Sequence, residues 1–163
     1  MKSSRAKGAY LIGFGDSVGL MAKQIVEGGF RGALYSFSGF GAPKVLEIAG
    51  KSAEGVVISA VPFDAAAPTT EKQRSLVERY QSRFGKPPSH YSAFAYDLGT
   101  VLAQAARDGG TDAKSIRSAL VAMKGWSGVL GPVSFDARGE ASVPLKMRRM
   151  VSGKAIPIDA GKR

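Results

Sequence analysis

Cysteine is absent from this chain of 163 residues, histidine and tryptophan occur once each, and acidic residues are outnumbered 13 to 23 by lysine and arginine. Without cysteine there is no disulfide framework, no thiolate metal site and no sulfur nucleophile. A single histidine, His90, gives a serine/histidine triad or a histidine metal cluster almost nothing to build on. No apolar run approaches the roughly 20 residues needed to cross a bilayer, while a hydrophobic content of 44% is too high for a disordered tail. One globular domain's worth of chain remains. The start, MKSSRAKGAYLIGFGDSVG, is basic, but its short apolar run is broken by glycines and lacks a small-residue cleavage site, so no export signal is expected in it.

The net charge of +10 is unevenly distributed. Residues 1–7 carry three basic groups, residues 138–163 carry seven against two acids, and the long middle is nearly balanced. A nucleic-acid-binding domain shows a basic stripe with aromatic or polar readers along one element, and the middle of this chain has none, so no nucleic-acid partner is expected. The densest cluster, Lys146, Arg148, Arg149 and Lys154, reads as the solvated face of a C-terminal hairpin.

Periodicity divides the chain into elements. Ala9–Ile12 is a short apolar run ending at Gly13, and from Asp16 the spacing Val18, Met21, Ala22, Ile25 is that of a helix face. Asp16 or Ser17 is expected to cap this helix and Gly28-Gly29 to stop it. Ala33–Phe37 predicts a second strand, Pro43–Ala49 a short helix, and Gly55–Val61 a third strand rich in β-branched residues. This βαβαβ order predicts an α/β fold with a parallel sheet segment. After Pro62 the Pro- and Ala-rich PFDAAAPTT marks a boundary, followed by three helices. Thr70 with Gln73 forms a capping box before the apolar face Leu76, Val77, Tyr80, Phe84. Ser89 caps a helix carrying Phe94, Leu98, Val101, Leu102 and Ala105, and Thr111 or Asp112 caps one with Ile116, Ala119, Leu120 and Met123 inward. The remainder reads as strands around the turns DARG and Ser152-Gly153, ending in a β-hairpin. The predicted divisions are 1–62, 63–125 and 126–163.

The loop GFGDSVG lies where a dinucleotide-binding GxGxxG would lie. Its third position is Val18, with Gly19 one residue late, and the next strand ends Tyr35-Ser36-Phe37-Ser38 without the acid that would hold a ribose. No nucleotide cofactor is expected, and no Gly-Lys-Ser/Thr phosphate loop is present. Two readings of the loop stand. Its backbone N–H groups at the helix start can face an acceptor-bearing ligand, or Gly13 and Gly15 only make a tight turn that Phe14 covers. The pairs Asp108/Asp112 and Asp136/Glu140 read as turn and capping residues, so no metal is expected. Trp126 is a cleft aromatic or a buried anchor, with the anchor favoured. No cluster supports catalysis, and no enzyme is expected.

Four strings, GFGDSVGLMAKQIVEGGF, LEIAGKSAEGVVIS, RYQSRFGKPPSHYSAFAYDLGTVLAQAARDGGTD and GVLGPVSFDARGE, together resemble the C-terminal part of type I periplasmic binding proteins of the leucine/isoleucine/valine-binding group. The resemblance runs over residues 8 to 158. It implies a two-lobed, non-catalytic periplasmic receptor that closes on a small amino acid or carboxylate and delivers it to the membrane subunits of an ABC importer. It also implies that residues 8 to about 60 and the C-terminal end belong to a second lobe, that the helices from about 65 to 125 pack on a first lobe, and that the first half of the usual length is missing. By the match, Phe14 is a cleft wall, Gly15, Asp16 and Ser17 begin the helix beside it, and Tyr91 lies at the cleft rim. Ser38 falls where amino-acid binders carry an acid for the ligand's ammonium, so either another group recognises the amine or the ligand lacks one, as a carboxylic or aromatic acid does, the second being slightly favoured. The helix faces that lose their usual cover are expected to be buried in a homodimer. The alternative function is a truncated paralogue that has lost solute binding and acts as a dimeric partner protein.

Overall fold

The computed structural model describes residues 5–158. Strands β1 (Gly8–Tyr10), β2 (Ala33–Phe37) and β3 (Val57–Ala60) run parallel, joined through helix α1 (Asp16–Glu27) and helix α2 (Pro43–Ala49). Strands β7 (Lys146–Val151) and β8 (Lys154–Pro157) add antiparallel to β3, giving a five-stranded sheet ordered β1-β2-β3-β7-β8. Both α/β crossovers move along the sheet in the same direction, so right-handed connections put both helices on one face. Leu34, Ile58 and Met150 from that face form a core with Val18, Ala22, Val45 and Ala49 of the helices. Gly19 lets α1 and α2 approach closely, since a Cβ there would stand 2.6 Å from the Val45 carbonyl oxygen. The glycine that arrives one residue late for a nucleotide fingerprint is therefore a helix-packing residue.

The second unit comprises Val61–Pro144. It holds α3 (Glu71–Phe84), α4 (His90–Gly109), α5 (Ala113–Ala122) and a three-stranded sheet of β4 (Trp126–Gly128), β5 (Gly131–Phe135) and β6 (Ala141–Ser142). The chain up to Ala60 groups with Leu145 onward. Residues 126–144, expected to return with the C-terminal end, instead join the helices. Two buried polar side chains account for this. Asp97, 6% exposed in the middle of α4, accepts the Val129 and Leu130 N–H groups at 2.7 and 2.9 Å. Gln73, 3% exposed, donates to the carbonyl oxygens of Pro62 and Val129 at 2.8 and 3.0 Å. Three of these bonds satisfy backbone groups of the β4–β5 turn, and the fourth satisfies the Pro62 carbonyl.

Several local expectations need correction. Gly15, with φ of 56°, is the N-cap of α1 and no side chain caps it. Asp16 is instead the first helical residue, and the Ser17 hydroxyl donates back to the Phe14 carbonyl at 2.8 Å. Thr70 accepts the Gln73 N–H, but Gln73 returns its carbonyl oxygen to Thr69 rather than to Thr70, so the box is not reciprocal. Ser89 and Ser92 form the reciprocal box, at the start of α4. The inward face of α4 is Ala93, Asp97, Val101 and Ala105, while Phe94, Leu98 and Leu102 are exposed. Phe84 is exposed as well. The basic cluster is not confined to a hairpin surface, because β7 lies between β3 and β8 and Arg148 is half-buried.

Replacing Asp97 by Ala leaves two buried N–H groups without acceptors, at about 1–3 kcal/mol each. A urea titration is expected to show a loss of roughly 3 kcal/mol for Asp97→Ala, and a smaller loss for Asp97→Asn, which keeps one acceptor oxygen.

Candidate functional site

In open α/β sheets the strand carboxyl ends carry the ligand-facing loops, because there the helix N-termini and their free N–H groups converge. Here the loop after β1 supplies Phe14, Gly15, Asp16 and Ser17, and the turn after β2 begins at Ser38, a 3-10 segment running to Gly41. The two are brought together by ring contact: Phe14 and Phe37 meet edge to face with centroids 5.6 Å apart. Below them the buried Ser36 hydroxyl donates to the Leu11 carbonyl at 3.0 Å, tying the two strand ends. Phe14 is 80% exposed, so it projects from the sheet rather than sealing its core. Asp16 and Ser17 are exposed and Ser38 is half-buried. With no side chain on its N-cap, α1 offers first-turn N–H groups to an acceptor, while the exposed Asp16 carboxylate at the same helix start attracts a cation. Both poles of a zwitterion have a counterpart there.

This cluster stands at the carboxyl end of the outermost parallel strand. The strand order β1-β2-β3 advances without reversing, and β1 lies at the sheet edge. A ligand crevice in such sheets forms where strand order reverses, which requires a further strand beyond β1. Tyr91, the remaining expected site residue, is not in this cluster. It belongs to the other unit, exposed in the first turn of α4, with its ring 4.0 Å from that of His90.

The second unit carries an open pocket of about 390 Å³ lined by Lys72, Tyr96, Asp97, Thr100, Trp126 and Gly128, among others. Trp126 is half-buried on its wall, neither fully buried nor free, and the Lys72 ammonium lies 6.0 Å from its ring centre. Lys72 also donates to the Ser127 carbonyl, Asp97 is occupied by two backbone N–H groups, and the Thr100 hydroxyl donates to the Tyr96 carbonyl at 2.7 Å. The polar groups of this cavity are thus largely spent on the protein itself. Sequence reasoning passed over Asp97, and its only signal was an acid set at four-residue spacing among Ala93, Val101 and Ala105.

Elsewhere, Asp112 accepts from the Lys114 and Ser115 N–H groups, and hydrogen bonding from Ser115 holds its carboxyl below the ordinary value. Asp136 is lowered chiefly by the Glu140 N–H. Both are cap and turn residues. Among the described residues no three His, Asp or Glu side chains are grouped to hold a metal, and no helix is long and apolar enough to cross a membrane.

With this geometry in view, comparison with known proteins identifies the lineage. The family model described as "Periplasmic binding protein" matches residues 1–155, and the chain belongs to that family. The "Leu/Ile/Val-binding protein homolog 1" of Brucella suis is 26% identical over 145 residues, covering 88% of this chain and 38% of that protein. A leucine-binding protein from Thermotoga maritima superposes with a TM-score of 0.76 at 24% identity, over 93% of this chain and 43% of that one. A branched-chain amino acid transporter substrate-binding protein from Streptococcus pneumoniae, solved with isoleucine, gives 0.73 at 24% identity, over 95% and 44%. The chain thus spans well under half the length of these relatives. The α/β architecture is that of type I periplasmic binding proteins, and the relatives are solute-binding proteins rather than enzymes.

His90 is the one group whose titration falls near neutrality. Desolvation lowers its pKa below 6.5. The unfolded chain therefore takes up a proton first as pH falls, so stability is full above about pH 6.5 and declines until the folded form also protonates. The melting temperature is expected to fall as pH drops through about 6.5 in the parent chain and to level off once the folded form also protonates, and His90→Gln is expected to flatten that dependence.

Proposed function

We propose that this chain contributes the solute-binding surface of a branched-chain-amino-acid-type ABC importer receptor, capturing a small amino acid or carboxylate without bond chemistry. The observation that carries it is the uncapped N-terminus of α1 at the open end of the parallel strands, flanked by the Phe14–Phe37 pair and Ser38, within a chain of the periplasmic binding protein family. In this role the α1 N–H groups hold the ligand carboxylate and Phe14 walls its apolar part. Gly15 keeps the loop backbone open to the ligand, and Ser17 holds the loop through its bond to Phe14. Ser38 offers a hydrogen bond where a charge would be needed to grip an ammonium, which favours carboxylic or aromatic acids. Tyr91, exposed at the start of α4, is a further candidate contact for the ligand. The family supports a periplasmic location, and the Streptococcus pneumoniae structure's transporter naming supports a membrane importer as the downstream partner.

A second reading has its own support. The exposed Phe94, Leu98 and Leu102 on α4, with Leu98 59% exposed, form an apolar stripe that suits a chain acting through a second copy of itself rather than through a solute.

Thermal melts with a panel of amino acids and aliphatic or aromatic carboxylates separate these readings. A ligand at about 100 times its dissociation constant adds roughly 2.7 kcal/mol, a shift of several degrees in a chain this size. Carboxylates are expected to raise the midpoint, and Phe14→Ala to abolish the shift without lowering the ligand-free melt. Ser38→Asp is expected to move the preference toward amino acids. If leucine-like ligands already stabilise the parent chain and Asp16→Asn removes that effect, Asp16 supplies the missing charge. A cooperative melt that no solute moves, from a chain of dimer mass, supports the second reading.

A further inference from the structure

A buried hydroxyl lies at the root of the candidate site. Ser36, 1% exposed on β2, shares with Leu34 the side of the strand that faces the helix-covered core. Ile58 stands beside it on β3, and Val18 and Phe40 of the same core are wholly buried. An alanine would suit such a setting, since a hydroxyl among apolar side chains is tolerated only when it is hydrogen-bonded. The bond that Ser36 makes leaves its own strand and reaches the Leu11 carbonyl, 3.0 Å away, at the end of β1.

Leu11 is where the chain parts from the sheet. β1 ends at Tyr10, the Leu11 N–H still donates to the Tyr35 carbonyl at 2.7 Å, and Ile12 is already 74% exposed. In a parallel ladder, a residue that donates to the Tyr35 carbonyl accepts from the Phe37 N–H, two positions on. The Leu11 carbonyl takes the Ser36 hydroxyl at that step, a side chain where the ladder would use backbone. Beyond Leu11 the loop is held at its far end by the Ser17 hydroxyl, which donates to the Phe14 carbonyl at 2.8 Å. It also fits closely over α1, because a Cβ on Gly13 would stand 2.7 Å from the Met21 methyl carbon. Ser36 directly precedes Phe37, the ring that Phe14 meets edge to face. One residue therefore relates both rings: its side chain holds the root of the loop that bears Phe14, and its backbone leads into Phe37.

We propose that Ser36 is a positioning residue for the ligand surface, its hydroxyl fixing the point at which β1 parts from β2 and so the placing of Phe14 relative to Phe37 and Ser38. The consequence for ligand rests on the solute-binding reading above, whereas the tether itself rests on the Ser36–Leu11 bond. Without the hydroxyl, the Leu11 carbonyl is open to the Phe37 N–H, the ladder lengthens by one step, and the Phe14 loop is drawn toward β2.

The ligand-free chain tests the tether. Ser36→Ala is expected to shift the ring resonances of Phe14 and Phe37 in NMR spectra and to slow amide exchange at Phe37 by about tenfold, with α2 and β8 unchanged. Ser36→Thr keeps the hydroxyl and is expected to keep the parent pattern, and Ser36→Cys, close in size but a weaker donor, falls between the two. Titration calorimetry with benzoate, isovalerate and leucine tests the consequence for ligand. The probe that binds the parent chain is expected to bind Ser36→Ala about tenfold more weakly and Ser36→Thr as the parent, while the ligand-free melts of all three variants stay within a few degrees of the parent. Ring resonances and Phe37 exchange unchanged in Ser36→Ala overturn the tether, as does exchange that quickens evenly through the first unit, the mark of a hydroxyl that serves stability alone. Altered ring resonances with unaltered affinity overturn the positioning role. A parent chain that binds none of the three probes overturns the solute-binding reading instead, and the ligand-free spectra then decide the tether by themselves.

Discussion

The structure of the first unit depends on a constraint of handedness. Two right-handed crossovers along β1-β2-β3 can place α1 and α2 only on the same side of the sheet. That side becomes a dry core, with Val18, Phe40, Val45 and Met150 almost wholly buried. The other side receives no helix from this stretch of chain and stays open, although its side chains are those of a covered sheet. The same one-directional order puts β1 at the edge of the sheet, with the Phe14 loop at its carboxyl end.

The second unit is organised by polar burial. Asp97 bonds the backbone N–H groups of Val129 and Leu130, and Gln73 bonds the carbonyls of Pro62 and Val129 and accepts from the N–H and hydroxyl of Thr69. A charge in a helix interior is costly unless several donors compensate it, and two backbone N–H groups do so here. This explains why β4 and β5 stay with the helices rather than with the last two strands. It also explains why the neighbouring cavity is a poor ligand site, since its strongest polar groups already have partners.

Family membership and site geometry bear on function from different directions. The match over residues 1–155 sets the family, and the Brucella relatives are themselves named for binding leucine, isoleucine and valine. The α1 N-terminus with the Phe14–Phe37 pair shows what the chain itself can offer a ligand: acceptor-seeking N–H groups and an aromatic wall. Ser38 matters most to the proposed role, because a hydroxyl cannot replace an ion pair to an ammonium.

Where the local signal is strong, the chain alone determined its structure. Ala33–Phe37 and Pro43–Ala49 have the predicted limits because an apolar strand run and a first-turn proline followed by Gly50 act within a few residues. The loop of Phe14 to Ser17 was equally legible, since a glycine-bounded turn between strand and helix sits at the strand's carboxyl end in any such fold. Other features were decided by tertiary structure. The apolar residues Phe94, Leu98 and Leu102 match a buried helix face in spacing, yet Ala93, Val101 and Ala105 turn inward, because Asp97 on their stripe must reach Val129 and Leu130. The alignment of Tyr10, Tyr35, Val57, Arg149 and Ile156 spans about 146 residues of sequence. Periodicity reports which side of a strand a residue takes, but only cross-strand hydrogen bonding sets what stands beside it.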